Sequence, residues 1–482
     1  MKMFIGGKWV DSVSEEVYSV INPATGEKID EVPKGTKEDV KKAVDAAKDA
    51  FRSWSETPPF DRGKIFFKVA QMAREREKEL STLLTMEQGK PLRESISEIN
   101  RFANICEYCG GMATNLQGSY IPLKGRGKYA VVIKQPIGVC GAILPWNNPV
   151  VLMACKVPLG LITGNTFVVK PASTTPLTNL KCAEILESAG VPAGVLNVVT
   201  GPGNVVGEEI LENPNIRKIS FTGETATGRH IMEAASKCIK RVTLELGGSD
   251  PMIVCDDADI DLAVEAAVSG RFANCGQRCI AIKRLYLFEK IAETFTKKFV
   301  KRVKAIKVGN GLNPETTMGP LNNAQQREKV EELVDDAVKS GAMVLTGAKR
   351  PKGPEFDNGF FYLPSVLTNV REDARIAKEE CFGPAIPIFK VKDLDEAIEK
   401  ANDTIYGLGS CIWTNDVRKA SIAAEKLEAG AVWVNTRMEY ALEVPRGGVK
   451  QSGLGRELGF EALQYYTETK TVQMDIMAKE KP

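Results

Sequence analysis

The chain has 482 residues, enough for two or three domains of about 100–200 residues each. A hydrophobic share of 43%, a charged share of 26% and a net charge of +2 describe an ordinary globular protein and give no electrostatic case for binding nucleic acid or an anionic membrane surface. Eleven cysteines without a disulfide-like framework and a single histidine, His230, point to reduced thiols and a cytoplasmic setting.

From the amino terminus, Met1–Lys8 turns polar at once, so no secretion signal is expected there. Residues 38–116 read as helices, with Val40, Ala43, Val44 and Ala47 at amphipathic spacing. Within them Cys106 and Cys109 form a C-x-x-C without a second pair or histidines, which reads as two thiols on a helix; no metal site is expected. Tyr129–Trp146 is the best membrane-span candidate, but Lys134, Gln135 and Pro136 break it short of the roughly 20 apolar residues required.

From Val139 the pattern alternates strand and helix. Strands are predicted at Val139–Leu144, Thr166–Lys170, Val195–Val199, Lys218–Phe221 and Val242–Leu244, with a helix over Leu177–Ser188. A second alternating series runs through Met252–Val254, Arg284–Phe288, Ala342–Leu345, Ala385–Phe389, Gly409–Trp413 and Ala431–Asn435, with helices at Ile291–Lys304 and Ala324–Ser340. The fold class is therefore α/β, two doubly wound α/β domains, one Rossmann-like and one catalytic. Residues 1–117 and 137–247 form the first and 248–447 the second. The segments 118–136 and 463–482 fit neither and read as a small β oligomerisation element, since exposed strands invite edge pairing.

Ligands of such sheets bind at the carboxyl ends of strands, where Asn147, Lys170, Gly201, Gly223 and Glu245 fall. The run Asn274-Cys275-Gly276-Gln277-Arg278-Cys279 sets a thiol among glycine and glutamine, with Glu245 upstream. With one histidine, a Cys–His or Ser–His–Asp arrangement exists only if His230 serves it; otherwise the base is a carboxylate or a lysine. Glu245, closing an apolar strand, is either a base of raised pKa or the partner of a buried cation. Asn147 in Pro145-Trp146-Asn147-Asn148-Pro149 is either an oxyanion donor or a turn former. The loop Gly201–Gly207 reads equally as a phosphate-proximal loop or a tight turn into a helix.

Taken together, the chain resembles the aldehyde dehydrogenase superfamily over essentially its whole length. The motifs are Pro145-Trp146-Asn147, Lys170-Pro171-Ala172, Phe221-Thr222-Gly223, Leu244-Glu245-Leu246-Gly247-Gly248, Gly276-Gln277-Arg278-Cys279, Glu379-Glu380-Cys381-Phe382-Gly383-Pro384 and Gly447-Gly448-Val449-Lys450-Gln451-Ser452-Gly453. The resemblance implies NAD(P)-dependent oxidation of an aldehyde to a carboxylate. Cys279 would be the nucleophile, Glu245 the general base, and Asn147 with the Cys279 N–H the oxyanion hole. Lys156 and Glu457 would relay protons. The cofactor would face Pro145, Trp146, Asn147, Lys170, Ala172, Ser173, Gly203, Gly207, Phe221, Thr222, Gly223, Glu224, Leu246, Glu380 and Phe382. A homodimer or homotetramer is implied.

The departures bear on specificity. Ser173 stands where NAD-preferring members carry a glutamate, so NADP is expected in preference, with NAD possible. Glu224 replaces a serine near the pyrophosphate, without a physical account. Asn148 replaces an aromatic and Cys155 an arginine of succinate-semialdehyde enzymes, which weakens that alternative. Arg446 replaces a phenylalanine, and with Arg437 and Glu439 it suggests a small polar aldehyde. A CoA-acylating semialdehyde dehydrogenase is the nearest rival, but such enzymes generally lack the glutamate at Glu245. Oxidative linkage of Cys275 to Cys279 is a secondary expectation.

Overall fold

The computed structural model describes residues 1–477; residues 478–482 of the expected oligomerisation segment lie outside the described residues. The chain builds two large sheets. In the first, neighbours run Gly453–Leu454, Arg241–Glu245, Ile216–Thr222, Val139–Ile143, Thr166–Lys170, Leu196–Val198, Met3–Ile5 and Lys8–Val10. The five central strands are parallel, while the flanking pairs are antiparallel. Thr166–Lys170 is buried at every position, as a strand covered on both faces must be.

The second sheet runs Met343–Thr346, Ser365–Thr368, Ala385–Val391, Ile282–Phe288, Asp250–Val254, Gly409–Trp413 and Ala431–Val434. All its pairings are parallel except that of the Met343–Thr346 edge. Its core is one continuous apolar cluster that takes in Cys275.

Local chemistry explains the helices that frame the first sheet. Lys37–Glu56 starts at a reciprocal cap, Thr36 and Asp39 each satisfying the other's backbone, and buries Val40, Ala43, Val44 and Ala47 as one stripe. It stops at Thr57, which Pro58 holds in an extended conformation. Leu92–Met112 turns Cys106 and Cys109 into the same buried face, both as free thiols. Among the described residues no cluster of three or more His, Cys, Asp or Glu side chains could hold a metal, and no helix is long and apolar enough to cross a membrane.

Three details differ from the pattern read in the sequence. The amino-terminal strands Met3–Ile5, Lys8–Val10, Val17–Ile21 and Lys28–Pro33 escape it, as does Ser365–Thr368, because runs of three to six residues are too short to show a period. The carboxyl-terminal segment opens with a short 3₁₀ helix, Phe460–Tyr466, before its strand Thr467–Asp475. That strand pairs with Lys128–Pro136, which pairs in turn with Ser119–Pro122. The outer strand of this three-stranded sheet is exposed at all four residues.

Candidate functional site

Cys279 lies in the loop between the helix Ile260–Phe272 and the strand Ile282–Phe288. The approach to it is an unusual backbone: Asn274, Cys275 and Gly276 have φ of 49°, 55° and 73°. Asparagine tolerates this left-handed region, and at Gly276 any Cβ would collide with the Gly383 carbonyl. The strain is held by distant partners. The Asn274 N–H donates to Glu94 Oε2 at 2.8 Å, and its side-chain amide donates to the Asn147 carbonyl at 2.8 Å. Gln277, fully buried, accepts from the Asn322 N–H at 2.8 Å. Lys283 donates to the carbonyls of Arg278 and Cys279.

Asn147 follows the strand Val139–Ile143 and is buried, with Nδ2 donating to the Gln277 carbonyl at 2.9 Å; its amide is thereby aimed at the thiol-bearing loop. Its backbone is fixed by a buried ion pair that the sequence reading missed. Lys90 Nζ lies 2.6 Å from Glu98 Oε2 and donates to the Asn147 carbonyl at 2.8 Å and to Asn148 Oδ1 at 2.9 Å. Glu98 in turn accepts the N–H groups of Val150 and Val151 in the first turn of the helix Pro149–Ala154. The only signal for this was Gly89-Lys90-Pro91, a left-handed glycine cap followed by a charge.

Glu245 ends the strand Arg241–Glu245. It is buried, and among the described residues neither carboxyl oxygen has a hydrogen-bond partner. Burial above all, then the charge of Glu457, pushes its pKa up to about 8 against the opposing pull of Arg446, Lys156 and Arg456. Arg446 is the unexpected element. Its guanidinium is buried, with Nη2 3.4 Å from Cys279 Sγ, Nη1 3.9 Å from Cys155 Sγ and Nε 3.8 Å from Glu245 Oε2. It rests over the Tyr440 ring at 5.7 Å. The Arg446 backbone exchanges two hydrogen bonds with Glu457, whose carboxylate pairs with Lys156. Lys156 also donates to Thr222 Oγ1 at 2.6 Å, so Thr222 faces this buried network.

Cys275 and Cys279 are both free thiols, but Cys275 packs in the core of the second sheet while Cys279 lies against Ile280, Leu408 and Tyr440.

The remaining expected residues lie at the ends of the first sheet's strands, except Glu380 and Phe382, which precede the strand Ala385–Val391 of the second sheet. Lys170 is nearly buried, burial lowers its pKa to about 8, and its one hydrogen bond among the described residues goes to the adjacent Pro171 carbonyl at 3.2 Å. Ser173 donates to the Gly201 carbonyl at 3.1 Å, and Ala172 is buried beside it. Gly203–Gly207 forms one wide π-helical turn, with open space where a Cβ on Gly203 would stand. Gly223 donates to the Glu245 carbonyl at 3.0 Å, and Leu246 to the Ser452 carbonyl at 2.8 Å. Glu224 turns outward to Lys329 at 3.1 Å, which gives this acid a partner away from the strand ends. Glu380 accepts from the Gly248 N–H at 3.0 Å and pairs with Lys283 at 3.2 Å. Phe382 meets Trp146, which follows Pro145, edge-on at 5.5 Å. A buried ammonium with spare donors beside an open glycine turn fits a phosphate- and ribose-bearing dinucleotide.

The aldehyde dehydrogenase family profile matches residues 9–472. The chain belongs to the aldehyde dehydrogenase family. It is 43% identical to betaine aldehyde dehydrogenase of Bacillus subtilis (strain 168), across 98% of this chain and 96% of the relative. Among solved structures, betaine aldehyde dehydrogenase from Staphylococcus aureus in complex with NAD+ superposes with a TM-score of 0.97 at 37% identity, over 99% of this chain and 95% of that one. An E. coli NADP-dependent enzyme does so with a TM-score of 0.96 at 40% identity, over 98% of each chain. As an aldehyde dehydrogenase, the protein is an NAD(P)-dependent oxidoreductase that acts on aldehydes.

Proposed function

We propose that this aldehyde dehydrogenase converts a small polar aldehyde to its carboxylate through a covalent intermediate on Cys279, with water as the final acceptor. The observation that carries the reading is the buried chain of charge Cys279–Arg446–Glu245, in which one guanidinium touches both the nucleophile and the base. Arg446 Nη2 faces the sulfur, which as the nucleophile adds to the carbonyl carbon as the C=O pair moves to oxygen. Asn147 Nδ2 and the Cys279 N–H donate to that oxyanion. The bound dinucleotide supplies the acceptor for the hydride that leaves the same carbon, and a thioester remains.

Acylation removes the negative charge of the sulfur. Arg446 then acts on Glu245 alongside Cys155 and Glu457 without the competing sulfur, which favours the ionised form of the base at the step that needs it. Glu245 takes a proton from water, the hydroxyl adds to the acyl carbon, and the C–S bond breaks to give the carboxylate and a regenerated thiolate. Glu457, with one oxygen unpaired among the described residues, and Lys156 form a route for the proton away from Glu245.

Lys170 and Glu380 would hold the riboses of the dinucleotide. Ser173 places no carboxylate against a 2′-phosphate, which supports NADP in preference to NAD. The exposed edge Ser119–Pro122, with Tyr120 and Ile121 outward, supports assembly into a homodimer or homotetramer. Charged substitutions Tyr120→Lys and Ile121→Lys should lower the mass measured by light scattering. Reduced-nicotinamide absorbance over a panel of aldehydes tests the reaction, and product analysis separates hydrolysis from transfer to CoA. A Cys279→Ser variant that still turns over would refute it.

A further inference from the structure

The cavity that Cys279 and Arg446 line has a volume of about 640 Å³ and carries seven cationic and four acidic side chains. Three of the four acids are already partnered, two of them by Lys90 and Arg302 of the same lining, and Glu439 is the fourth. Glu94 accepts the Asn274 N–H, Glu98 pairs with Lys90, and Glu265 pairs with Arg302. The cations are not matched in the same way. Arg101 donates to the Tyr440 carbonyl and Arg278 to the Met438 carbonyl at 3.5 Å, while Arg437 stands exposed on the same short segment. Among the described residues none of these three forms an ion pair.

Three guanidiniums drawn around residues 437–440, two anchored to neutral carbonyls, leave net positive charge at the mouth of a partly closed cavity. Burial, and the like charges of Arg446 and Arg278, lower the pKa of Arg101 against the pull of Cys155 and Glu439. A carbonyl occupies one N–H of a guanidinium, so each planar fork keeps donors for a bidentate anion. We infer that Arg101, Arg278 and Arg437 form an anion subsite, and that the aldehyde carries a carboxylate or phosphate monoester at its end away from the carbonyl. The inference rests on the reading of Cys279 as nucleophile. Arg278 and Cys279 line the same cavity, so the anion and the reacting carbon share it.

Two measurements on the full-length enzyme test it. In the first, kcat/KM is compared for matched aldehydes, succinate semialdehyde against butanal and glyceraldehyde 3-phosphate against glyceraldehyde, with NAD and NADP each supplied. At least one anionic member should exceed its neutral partner about tenfold or more, and Arg101→Gln and Arg437→Gln should erase the gap through KM with kcat little changed. In the second, succinate, glycerol 3-phosphate and uncharged butane-1,4-diol are tested for protection of Cys279 from iodoacetamide. Protection by succinate or by glycerol 3-phosphate identifies the carboxylate or the phosphate, and Arg101→Gln should abolish it. Should no aldehyde be oxidised while the anions still protect, the subsite stands and the oxidation reading falls. Equal handling of every neutral and anionic pair, or protection by none of the anions, overturns the inference.

Discussion

Replacing Arg446 by methionine keeps the length of the side chain and removes the cation that, among the described residues, touches both Cys279 and Glu245. The 3.4 Å approach to Cys279 Sγ is a charge-assisted hydrogen bond of about 1.5–3 kcal/mol. The 3.8 Å approach to Glu245 corresponds to about 4 kcal/mol at an effective dielectric near 20. At about 1.4 kcal/mol per pH unit, the Glu245 carboxyl should become harder to ionise by up to about three pH units. Arg446 is among the groups that hold Glu245 down to about 8, so its loss moves the rising limb of kcat against pH upward. Alkylation of Cys279 by iodoacetamide should slow as well, because the 3.4 Å contact between the guanidinium and the sulfur is lost. The assays are the pH profile of reduced-nicotinamide formation and the rate of appearance of the alkylated peptide by mass spectrometry. Arg446→Lys should restore part of both. A limb that stays in place, together with an alkylation rate within about twofold of the parent, refutes the coupling.

Glu245→Gln should release about one equivalent of reduced cofactor per active site and then slow about 10²–10⁴-fold; an undiminished steady state counts against Glu245 as base. In the parent, the raised carboxyl contributes stability that is full below about 4.5 and is lost as pH rises through about 8, so the Gln variant should gain in Tm relative to the parent across that window. A gap that narrows with pH contradicts the burial argument. The ratio of kcat/KM for NADP and NAD should favour NADP, and Ser173→Glu should move it towards NAD; a tenfold preference of the parent for NAD would sink this assignment. Lys90→Met leaves Glu98 buried without its cation and should cost about 3–5 kcal/mol, measured as a fall in thermal midpoint that Glu98→Gln partly reverses. A Lys90→Met protein as stable as the parent would remove the ion pair from the account of how Asn147 is held.

Much of this site was legible because parallel strands place their functional residues at their carboxyl ends. Lys170, Thr222 and Glu245 are the last residues of buried strands, where an apolar run stops at a polar side chain. Other features depend on contacts across long separations. Arg446 looks like a solvated arginine in a loop until the fold sets it against Cys279, 167 residues earlier. Lys90 follows a left-handed glycine cap, which marks a chain turn but does not show that the lysine will be buried against Asn147. Glu224 had no account beside a phosphate site because its partner, Lys329, lies 105 residues away on a helix of the other sheet's layer. Short strands such as Met3–Ile5 depend on the sheet they join for their stability.

The left-handed turn before Cys279 has a consequence for how the enzyme ages. Its shape is held by Glu94, Asn147 and Asn322, which come from three separate stretches of chain. A conformation that costs free energy residue by residue and is repaid only by remote anchors has little local stability of its own. Such a loop acquires its form after the surrounding layers have docked, and it slackens before they separate. Heat or denaturant should therefore extinguish activity while most of the secondary structure survives, and brief cooling should return a protein that has not had to refold.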